Sequence, residues 1–271
     1  MSASIGNAAT AIMKRRGDLP WAAGGWIFFV AENAILSENR TWLIAELGDD
    51  RYHLVYGTLS TIATASIGYS FVRLRRQHKI PESTLRLVPR SPMVFGGAWV
   101  VLTLGLTMAT QGLPKFQIPV GMSSEQKLQV RCPFDFKEPP RPDHSLYGME
   151  RVTRHPGLWS LGLAGLGQAL LIPPAALPLK IWWCGPALVA WLGGAHTDSR
   201  FRRNMGGTLD PMMDAQTSNI PFGAMMMGQQ GNPATSFQNL VTEELKPLNA
   251  VMAAAASTVW VVLQARRFRI R

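Results

Sequence analysis

The chain has 271 residues, of which 47% are hydrophobic and 16% charged, and its formal net charge at pH 7 is +10. This length fits one domain or two small ones, and the apolar composition favours a membrane protein over a soluble one. No basic stretch is interleaved with aromatic residues, so we expect no nucleic-acid partner. The positive charge instead fits membrane lipid with anionic headgroups, and an acidic protein partner is an alternative.

Six runs of the sequence carry few or no charged residues. They cover residues 19–36, 54–72, 91–114, 156–179, 181–195 and 247–265. A helix of about 20 apolar residues crosses the hydrocarbon layer of a membrane. Pro173, Pro174 and Pro178 predict a turn between the fourth and fifth runs. The fifth run is short, so a buried helix that does not fully insert is an alternative there. We predict an all-α fold, a polytopic integral membrane helix bundle of about six spans.

Two long polar connections separate these runs, residues 115–150 and 197–246. In a six-span topology the third and fifth connections lie on the same side of the membrane, so their polar residues can converge on one site. Lys and Arg occur on both sides, and their distribution favours both termini facing the more electronegative compartment. Residues 1–18 form a basic N-terminal segment without the apolar core of a secretory signal peptide, and a short organellar targeting segment is an alternative.

Polar residues inside the runs and at their ends are the candidate functional groups. Glu32 interrupts the first run, and an ionisable residue in a membrane span marks the bundle interior and needs a partner. Arg154 and His155 open the fourth run, where they could bind an anionic headgroup or substrate phosphate, or shape the turn at Pro156, and we favour the structural role. His155 and His196 could also form a metal pair.

Three short motifs occur in order along the chain. The first is Leu-Ile-Ala-Glu-Leu-Gly at 43–48 with tyrosines at 52 and 56, the second is Arg-Val-Thr-Arg-His-Pro at 151–156, and the third is Thr-Ser-Asn-Ile-Pro-Phe at 217–222. Together they resemble the NnrU family of membrane proteins, which includes the plastid 15-cis-ζ-carotene isomerase. The resemblance divides the chain into the basic segment 1–18, an NnrU-like membrane domain at 19–225, and a polar linker with a final span and basic tail at 226–271.

The resemblance implies a bundle that, in the isomerase, holds haem b through two histidines and isomerises a carotenoid precursor. The matching positions here are Glu32 and Gln168. Carboxylate and amide oxygens suit magnesium better than iron, so the substitution favours a magnesium tetrapyrrole or no cofactor over haem b. If Glu32 and Gln168 face each other as the family's ligands do, they form either a hydrogen-bonded helix pair or a shared pigment site. No protein metal site is predicted.

The resemblance also places two sets of candidate site residues. Catalytic candidates for an isomerase-like enzyme are Glu32, His155 and Gln168. Arg154, His155, Thr217 and Ser218 are candidates for contact with a substrate or lipid headgroup, with the Thr217-Ser218 turn predicted to close onto the Arg154 segment.

Two functional hypotheses lead. One is an enzyme similar to the carotene isomerase, with a carotenoid or other isoprenoid in the bundle, and the other is a non-catalytic structural or pigment-binding subunit of a larger photosynthetic or respiratory membrane complex. A regulator of nitrogen-oxide metabolism is a third. A membrane methyltransferase is a fourth, although the positions expected to be acidic are Thr208 and Leu209, and the acidic pair Glu243 and Glu244 is out of register. The resemblance implies an organellar membrane, with the plastid favoured over the mitochondrial inner membrane.

Overall fold

The computed structural model describes residues 2–77, 89–116, 120–122, 128–130, 134–135, 146–267 and 269–270, and it describes side chains within 17–77, 91–116 and 146–267. Most of the predicted polar connection at 115–150 therefore lies outside the described residues. What is described is predominantly helical, which confirms the all-α prediction.

The described helices range from one turn to 37 residues in length. In chain order they are α1 (Ser2–Glu38), α2 (Arg40–Leu47), α3 (Asp49–Gln77), α4 (Pro92–Gln111), α5 (Met149–Val152), α6 (Pro156–Leu171), α7 (Leu177–Arg202), α8 (Pro211–Gln216), α9 (Gly223–Met226), α10 (Pro233–Asn239) and α11 (Pro247–Ala265). A 3₁₀ turn at Pro174–Ala176 precedes α7, and a π-helical turn at Leu240–Glu244 follows α10.

Short strand pairs complete the described secondary structure. β1 (Pro89–Arg90) pairs in parallel with β6 (Arg269–Ile270). β2 (Lys115–Phe116) pairs antiparallel with β5 (Phe134–Asp135), and β3 (Val120–Met122) with β4 (Leu128–Val130). These are two-stranded and too short to organise the fold, which rests on the helices.

Proline and polar caps set several helix starts. Ser91 accepts a hydrogen bond from the Met93 amide and Pro92 occupies the first turn of α4, where a missing N–H costs nothing. Asp210 caps α8 in the same way, accepting from the amides of Met212 and Met213. Such caps satisfy backbone donors that the helix itself leaves unpaired.

Within the described residues, four helices are long and apolar enough to cross a membrane: Gly17–Glu38, Pro92–Gln111, Pro174–Arg202 and Pro247–Ala265. The predicted count of about six is not confirmed by length and composition. The second predicted span lies in α3, whose Ser, Thr, Tyr and Gly residues lower its hydropathy, and α6 has only 16 residues.

The predicted shortness of the fifth span is wrong. Residues 181–195 belong to α7, a continuous helix of 26 residues. The uncharged run looked short because Lys180 and Asp198 bound it, and a helix continues through charged residues when they reach water or a partner. The predicted turn before it is confirmed, because α6 ends at Leu171 and Pro174–Ala176 forms the tight connection.

The long helices pack as a row in the order α11, α4, α6, α7, α1 and α3. Glycines set the closest approaches, as the small residues of the sequence predict for membrane helices. A Cβ at Gly105 of α4 would come within 2.8 Å of the Ala164 amide nitrogen of α6. One at Gly165 would come within 2.6 Å of the Trp183 carbonyl oxygen of α7. The central helix α6 is thus held against both neighbours at backbone distance.

Connections between the helices meet at one end of the bundle. Ser37 Oγ and His196 Nε2 are 2.8 Å apart, and Arg203 forms an ion pair of 2.5 Å with Glu38, so the ends of α1 and α7 are linked. The segments before α6 and after α7 also meet at this end, which confirms the predicted convergence of the third and fifth connections.

Candidate functional site

Arg154 is the centre of a polar cluster at this end, in the turn between α5 and α6. Its Nη1 donates to Asp198 Oδ2 at 2.6 Å, its Nη2 lies 2.8 Å from Asp214 Oδ1, and its Nε donates to Thr217 Oγ1 at 2.9 Å. Nη2 also donates to the Thr217 carbonyl oxygen at 2.7 Å. All three guanidinium nitrogens are therefore engaged by the protein itself.

The 217–222 motif lies directly alongside the Arg154 turn. The Arg154 amide donates to the Ser218 carbonyl at 2.9 Å, and the Phe222 amide donates to the Val152 carbonyl at 2.6 Å. Ser218 Oγ donates to the Ile220 carbonyl at 2.6 Å and so holds its own turn. The structure thus brings the predicted Thr217-Ser218 turn onto the Arg154 segment, and Ser218 has a local partner there.

His155 shares a carboxylate with Arg154. Its Nε2 lies 2.8 Å from Asp198 Oδ1, and the Asp198 side chain is only 5% exposed. The neighbouring Asn219 side chain accepts a hydrogen bond from Trp159 Nε1 at 3.0 Å and donates one to the Trp191 carbonyl at 2.8 Å. His155 is therefore fixed by packing and by Asp198.

Asp198 was missed by sequence reasoning. The sequence gives little signal for it, because Asp198 stands in the polar stretch His-Thr-Asp-Ser-Arg at 196–200 and has Arg200 and Arg202 as nearer basic residues. Its place in α7, rather than in a long polar connection, is what concealed it. We call the set Arg154, His155, Asp198, Asp214, Thr217 and Asn219 the Arg154 network.

Asp214, the more exposed of the two carboxylates in the Arg154 network, has a lowered pKa. Arg202 donates to Asp214 through Nε and Nη2, both at 2.6 Å, and these bonds, aided by the charge of Arg154, hold the pKa of Asp214 below its usual value. Desolvation opposes the effect and is smaller. Asp214 therefore stays ionised at neutral pH, so the network contains compensating charges rather than a free cation.

A second ion pair ties the last helix to the same end. Arg151 Nε donates to both carboxylate oxygens of Glu244, at 2.7 and 2.9 Å, and the Gly148 amide donates to Glu244 at 2.6 Å. Gln230 donates to the Arg151 carbonyl at 2.9 Å. Glu244, one of the two acidic residues weighed for a methyl-donor site, is used here to join the third and fifth connections.

Glu32 lies on the face of α1 that packs against α3, and it is 6% exposed. It accepts from Ser60 Oγ and from Asn33 Nδ2, both at 2.8 Å, and Tyr56 donates to Asn33 Oδ1 at 2.9 Å. The prediction that Glu32 lies in the bundle interior with a partner is confirmed. The partner predicted for it is wrong, because the Glu32 side of α1 faces α3.

Gln168 lies at a different helix contact. It is 8% exposed, and its Oε1 accepts from Trp260 Nε1 of α11 at 2.7 Å. In the described part of the chain, Glu32 and Gln168 form no hydrogen bond with each other. The two side chains are instead hydrogen-bonded at different helix contacts, Glu32 where α1 meets α3 and Gln168 where α6 meets α11.

The two histidines weighed as a metal pair have separate partners as well. His155 bonds to Asp198, whereas His196 bonds to Ser37 at 2.8 Å. Among the side chains that the structure describes, no group of three or more His, Cys, Asp or Glu residues is arranged to hold a metal ion.

Two apolar cavities lie beside α6 and α7. The larger, which we call the Gln168 cavity, has a volume of about 670 Å³. The smaller measures about 490 Å³, and the Trp26 side chain of α1 lines both. Residues that the Gln168 cavity draws from five helices include Trp26, Leu102, Gln168, Trp183, Ser257 and Trp260.

Comparison with known proteins identifies no relative of this chain. No protein-family model, no curated protein and no solved structure matches it. The resemblance of the three motifs to the NnrU family therefore stays a prediction, and the function has to be argued from the site.

Proposed function

We propose that this chain is a non-catalytic, NnrU-like subunit of a larger membrane assembly, in which the bundle serves as a scaffold. The proposal rests on one observation, which is that the candidate catalytic side chains are hydrogen-bonded to other residues of the protein. Glu32 bonds to Ser60 and Asn33, Gln168 bonds to Trp260, and His155 bonds to Asp198. Groups that are already paired inside the fold stabilise it and leave little capacity for a reacting substrate.

The proposal includes six membrane crossings, with α3 and α6 added to the four apolar helices. If α6 did not cross, the third and fifth connections would lie on opposite sides of the membrane. If α3 alone did not cross, the ion pair of Glu38 with Arg203 would have to join opposite sides. The hydrogen bonds from Arg154 to Thr217 and from Arg151 to Glu244 favour one side for both connections. A 16-residue helix such as α6 spans about 24 Å, and its central position between α4 and α7 lets neighbouring helices cover its ends.

A single-cysteine labelling experiment tests this topology. Glu46 and Asp210 are exposed at the network end, and Arg76 and Arg267 are exposed at the other end. In a cysteine-free background, cysteines at the first pair should react with an impermeant maleimide from one side of sealed vesicles and those at the second pair only from the other. Labelling of positions 46 and 76 from the same side would remove α3 from the set of spans.

The second candidate function is an isomerase-like enzyme acting on a carotenoid or other isoprenoid. The Gln168 cavity favours it, because a volume of about 670 Å³ with apolar walls suits such a substrate. For both candidates we propose an organellar membrane, the plastid ahead of the mitochondrial inner membrane, on the resemblance alone.

One purification distinguishes the two candidates. The protein is extracted from its native membrane in mild detergent, sized on a native gel, and its absorption spectrum is taken with and without dithionite. We expect a complex much larger than one chain, with other subunits present and no reducible Soret band. A monodisperse single protein with a haem Soret band and turnover of a cis-carotene would overturn the scaffold proposal.

A further inference from the structure

We propose that the Gln168 cavity binds a neutral lipid whose polar group is a hydrogen-bond acceptor, of the class of long-chain ketones and isoprenoid quinones. This goes beyond the proposed function, since a scaffold requires no ligand. Three properties of the cavity carry it: its walls, its unpaired polar atoms and its opening.

The walls call for an uncharged, mainly apolar occupant. The cavity measures about 670 Å³, within the usual range of small-molecule sites, and no Lys, Arg, Asp, Glu or His is among the residues that line it. Leu, Ala, Val, Pro and Trp side chains form most of the surface. A charged ligand would lose its hydration here without compensation, whereas a hydrocarbon chain would not.

Three polar side chains at the cavity have hydrogens that no acceptor in the described structure uses, namely Gln168, Ser257 and Trp26. Trp260 Nε1 is a donor only, so the Gln168 atom that it meets is Oε1, and the two hydrogens of the Gln168 amide nitrogen remain. Ser257 is fully buried and its hydroxyl has no partner in the described structure. Trp26 Nε1 is likewise buried without a partner there.

Such a set of donors selects the polar group of the ligand. A carbonyl oxygen accepts two hydrogen bonds, so it can meet the Gln168 amide directly and reach the Ser257 hydroxyl or the Trp26 indole when the lining side chains shift. Buried donors are seldom left unpaired in native proteins. A pure hydrocarbon would leave every one of them unsatisfied. The cavity therefore distinguishes an acceptor-bearing lipid from a hydrocarbon of the same length.

The cavity is reached from the outside of the bundle. Leu161 and Trp260, both on its lining, are 65% and 46% exposed. In a membrane these side chains face lipid, so a hydrophobic ligand can enter laterally from the bilayer, with its polar group leading towards Gln168 and Ser257.

Quenching of tryptophan fluorescence tests the site, because Trp26, Trp183 and Trp260 line the cavity and quinones quench tryptophan. The intact purified protein is titrated with decyl-ubiquinone in detergent, and bound quinone is then displaced with 2-nonadecanone or with nonadecane. We expect saturable quenching that the ketone reverses and the alkane does not. Equal displacement by the alkane would overturn the proposal and leave a groove for lipid tails.

Matched variants locate the binding. Gln168→Leu and Ser257→Ala should each weaken decyl-ubiquinone binding about fivefold to tenfold, whereas Gln238→Leu, an exposed glutamine on α10, should leave it unchanged. Ser257→Ala removes no bond within the protein, so it keeps the test valid if Gln168→Leu folds poorly. Unchanged affinity in Ser257→Ala and in folded Gln168→Leu would refute the assignment.

Mass spectrometry of lipids that co-purify with the protein identifies the source of the carbonyl. An isoprenoid quinone and another ketone lipid are both supporting outcomes, and each should be depleted in the two variants. Subunit composition is measured on the same sample, so loss of ligand with retained assembly would be separable from failure of the scaffold proposal.

Discussion

The Arg154 network and the Gln168 cavity both bury polar groups, but they differ in how those groups are paired. In the network, Arg154 engages all three guanidinium nitrogens and Asp198 engages both carboxylate oxygens. At the cavity, the Ser257 hydroxyl and the Trp26 indole nitrogen lack partners in the described chain. A saturated cluster stabilises the fold, and an unsaturated one has binding capacity left.

This difference favours the Gln168 cavity over the Arg154–His155 pair as a ligand site, which is the opposite of what the sequence suggests. The Arg-His pair at 154–155 has the residue types of a binding or catalytic site, whereas Ser257 and Trp26 look like ordinary residues of a membrane span. Because unpaired buried donors are costly, the second pair is the better indicator of a ligand. Variants of the Arg154 network test one side of this comparison, and the Gln168 and Ser257 variants test the other.

The largest effect should come from Arg154→Leu. The change leaves the Asp198 carboxylate, 5% exposed, without its main cation and removes the contacts to Thr217. Removing one partner of a buried ion pair typically costs roughly 3–5 kcal/mol. Thermal unfolding in detergent, followed by tryptophan fluorescence, should show a markedly lower midpoint or a failure to fold.

Arg202→Leu is the matched control for Arg154→Leu. Arg202 also binds Asp214, but its side chain is 51% exposed, and surface ion pairs contribute about 0–1 kcal/mol. If Arg154→Leu unfolded no earlier than Arg202→Leu but lost affinity for vesicles with anionic headgroups, Arg154 would be a lipid-binding residue and the structural account would fail.

An intermediate effect is expected for Gly194→Ala. A Cβ at Gly194 would collide with the Asn219 side chain and approach His155 Cδ2 to 2.9 Å, so it would disturb the Arg154 network without removing a polar group. Overpacking of this kind costs roughly 1–3 kcal/mol. Gly193→Ala, whose Cβ would meet only Val189 Cγ1 at 3.9 Å, should be neutral in the same unfolding assay. Equal unfolding midpoints for the two variants would mean that the Arg154 network accommodates an added methyl group without loss of stability.

A smaller effect is expected for Glu32→Leu. The change removes the acceptor of Ser60 Oγ and one of two acceptors of Asn33 Nδ2. Hydrogen bonds between membrane helices contribute on average about 0.6 kcal/mol, so the loss should be about 1 kcal/mol. If the bundle were stable but a tetrapyrrole seen in the wild-type absorption spectrum were lost, Glu32 would be a ligand, against our assignment.

The smallest effect should come from Asp214→Asn, and it should disappear in acid. The folded-state pKa of Asp214 lies below its ordinary value of 3.8, chiefly because of the hydrogen bonds from Arg202. The unfolded chain therefore binds this proton more tightly, so the stabilisation is complete above the ordinary pKa and is lost as pH falls through the folded pKa. Asp214→Asn should unfold earlier than wild type at pH 7, and the difference should shrink below about pH 4. A pH-independent difference would show that charge on Asp214 does not stabilise the fold.

Much of the fold could be predicted from local pattern. The apolar runs located the long helices that the structure describes. In lipid, the cost of exposing backbone forces a long apolar segment into a helix whatever its neighbours are. The turn at 173–176 followed from proline chemistry. Charges ending an apolar run were a poorer guide, since α7 continues through Asp198, whose partners are 43 and 44 residues away in the sequence.

The partners of the polar residues were predictable only in part. The Thr217 turn was correctly predicted to lie on the Arg154 segment, where Arg154 donates to Thr217. The predicted partner of Glu32 is Gln168, whereas the observed partner is Ser60, which lies nearer in the sequence on α3 and donates its hydroxyl. Which face of α1 meets α3 depends on helix rotation, and the weak amphipathicity of a membrane helix does not specify rotation.

The sequence by itself determined that this is an all-α protein with apolar helices, that its polar residues gather in the connections, and that Glu32 needs an internal partner. Hydropathy and proline positions act on the local chain, so their effects can be predicted from the sequence alone. Only the tertiary structure decided that His155 and Arg154 share Asp198 and that Gln168 pairs with Trp260. It also decided that Ser257 and Trp26, at a cavity, have no partner among the described residues. These pairings depend on helix rotation and on glycine-limited approach distances, which are properties of packed pairs of helices rather than of any single segment.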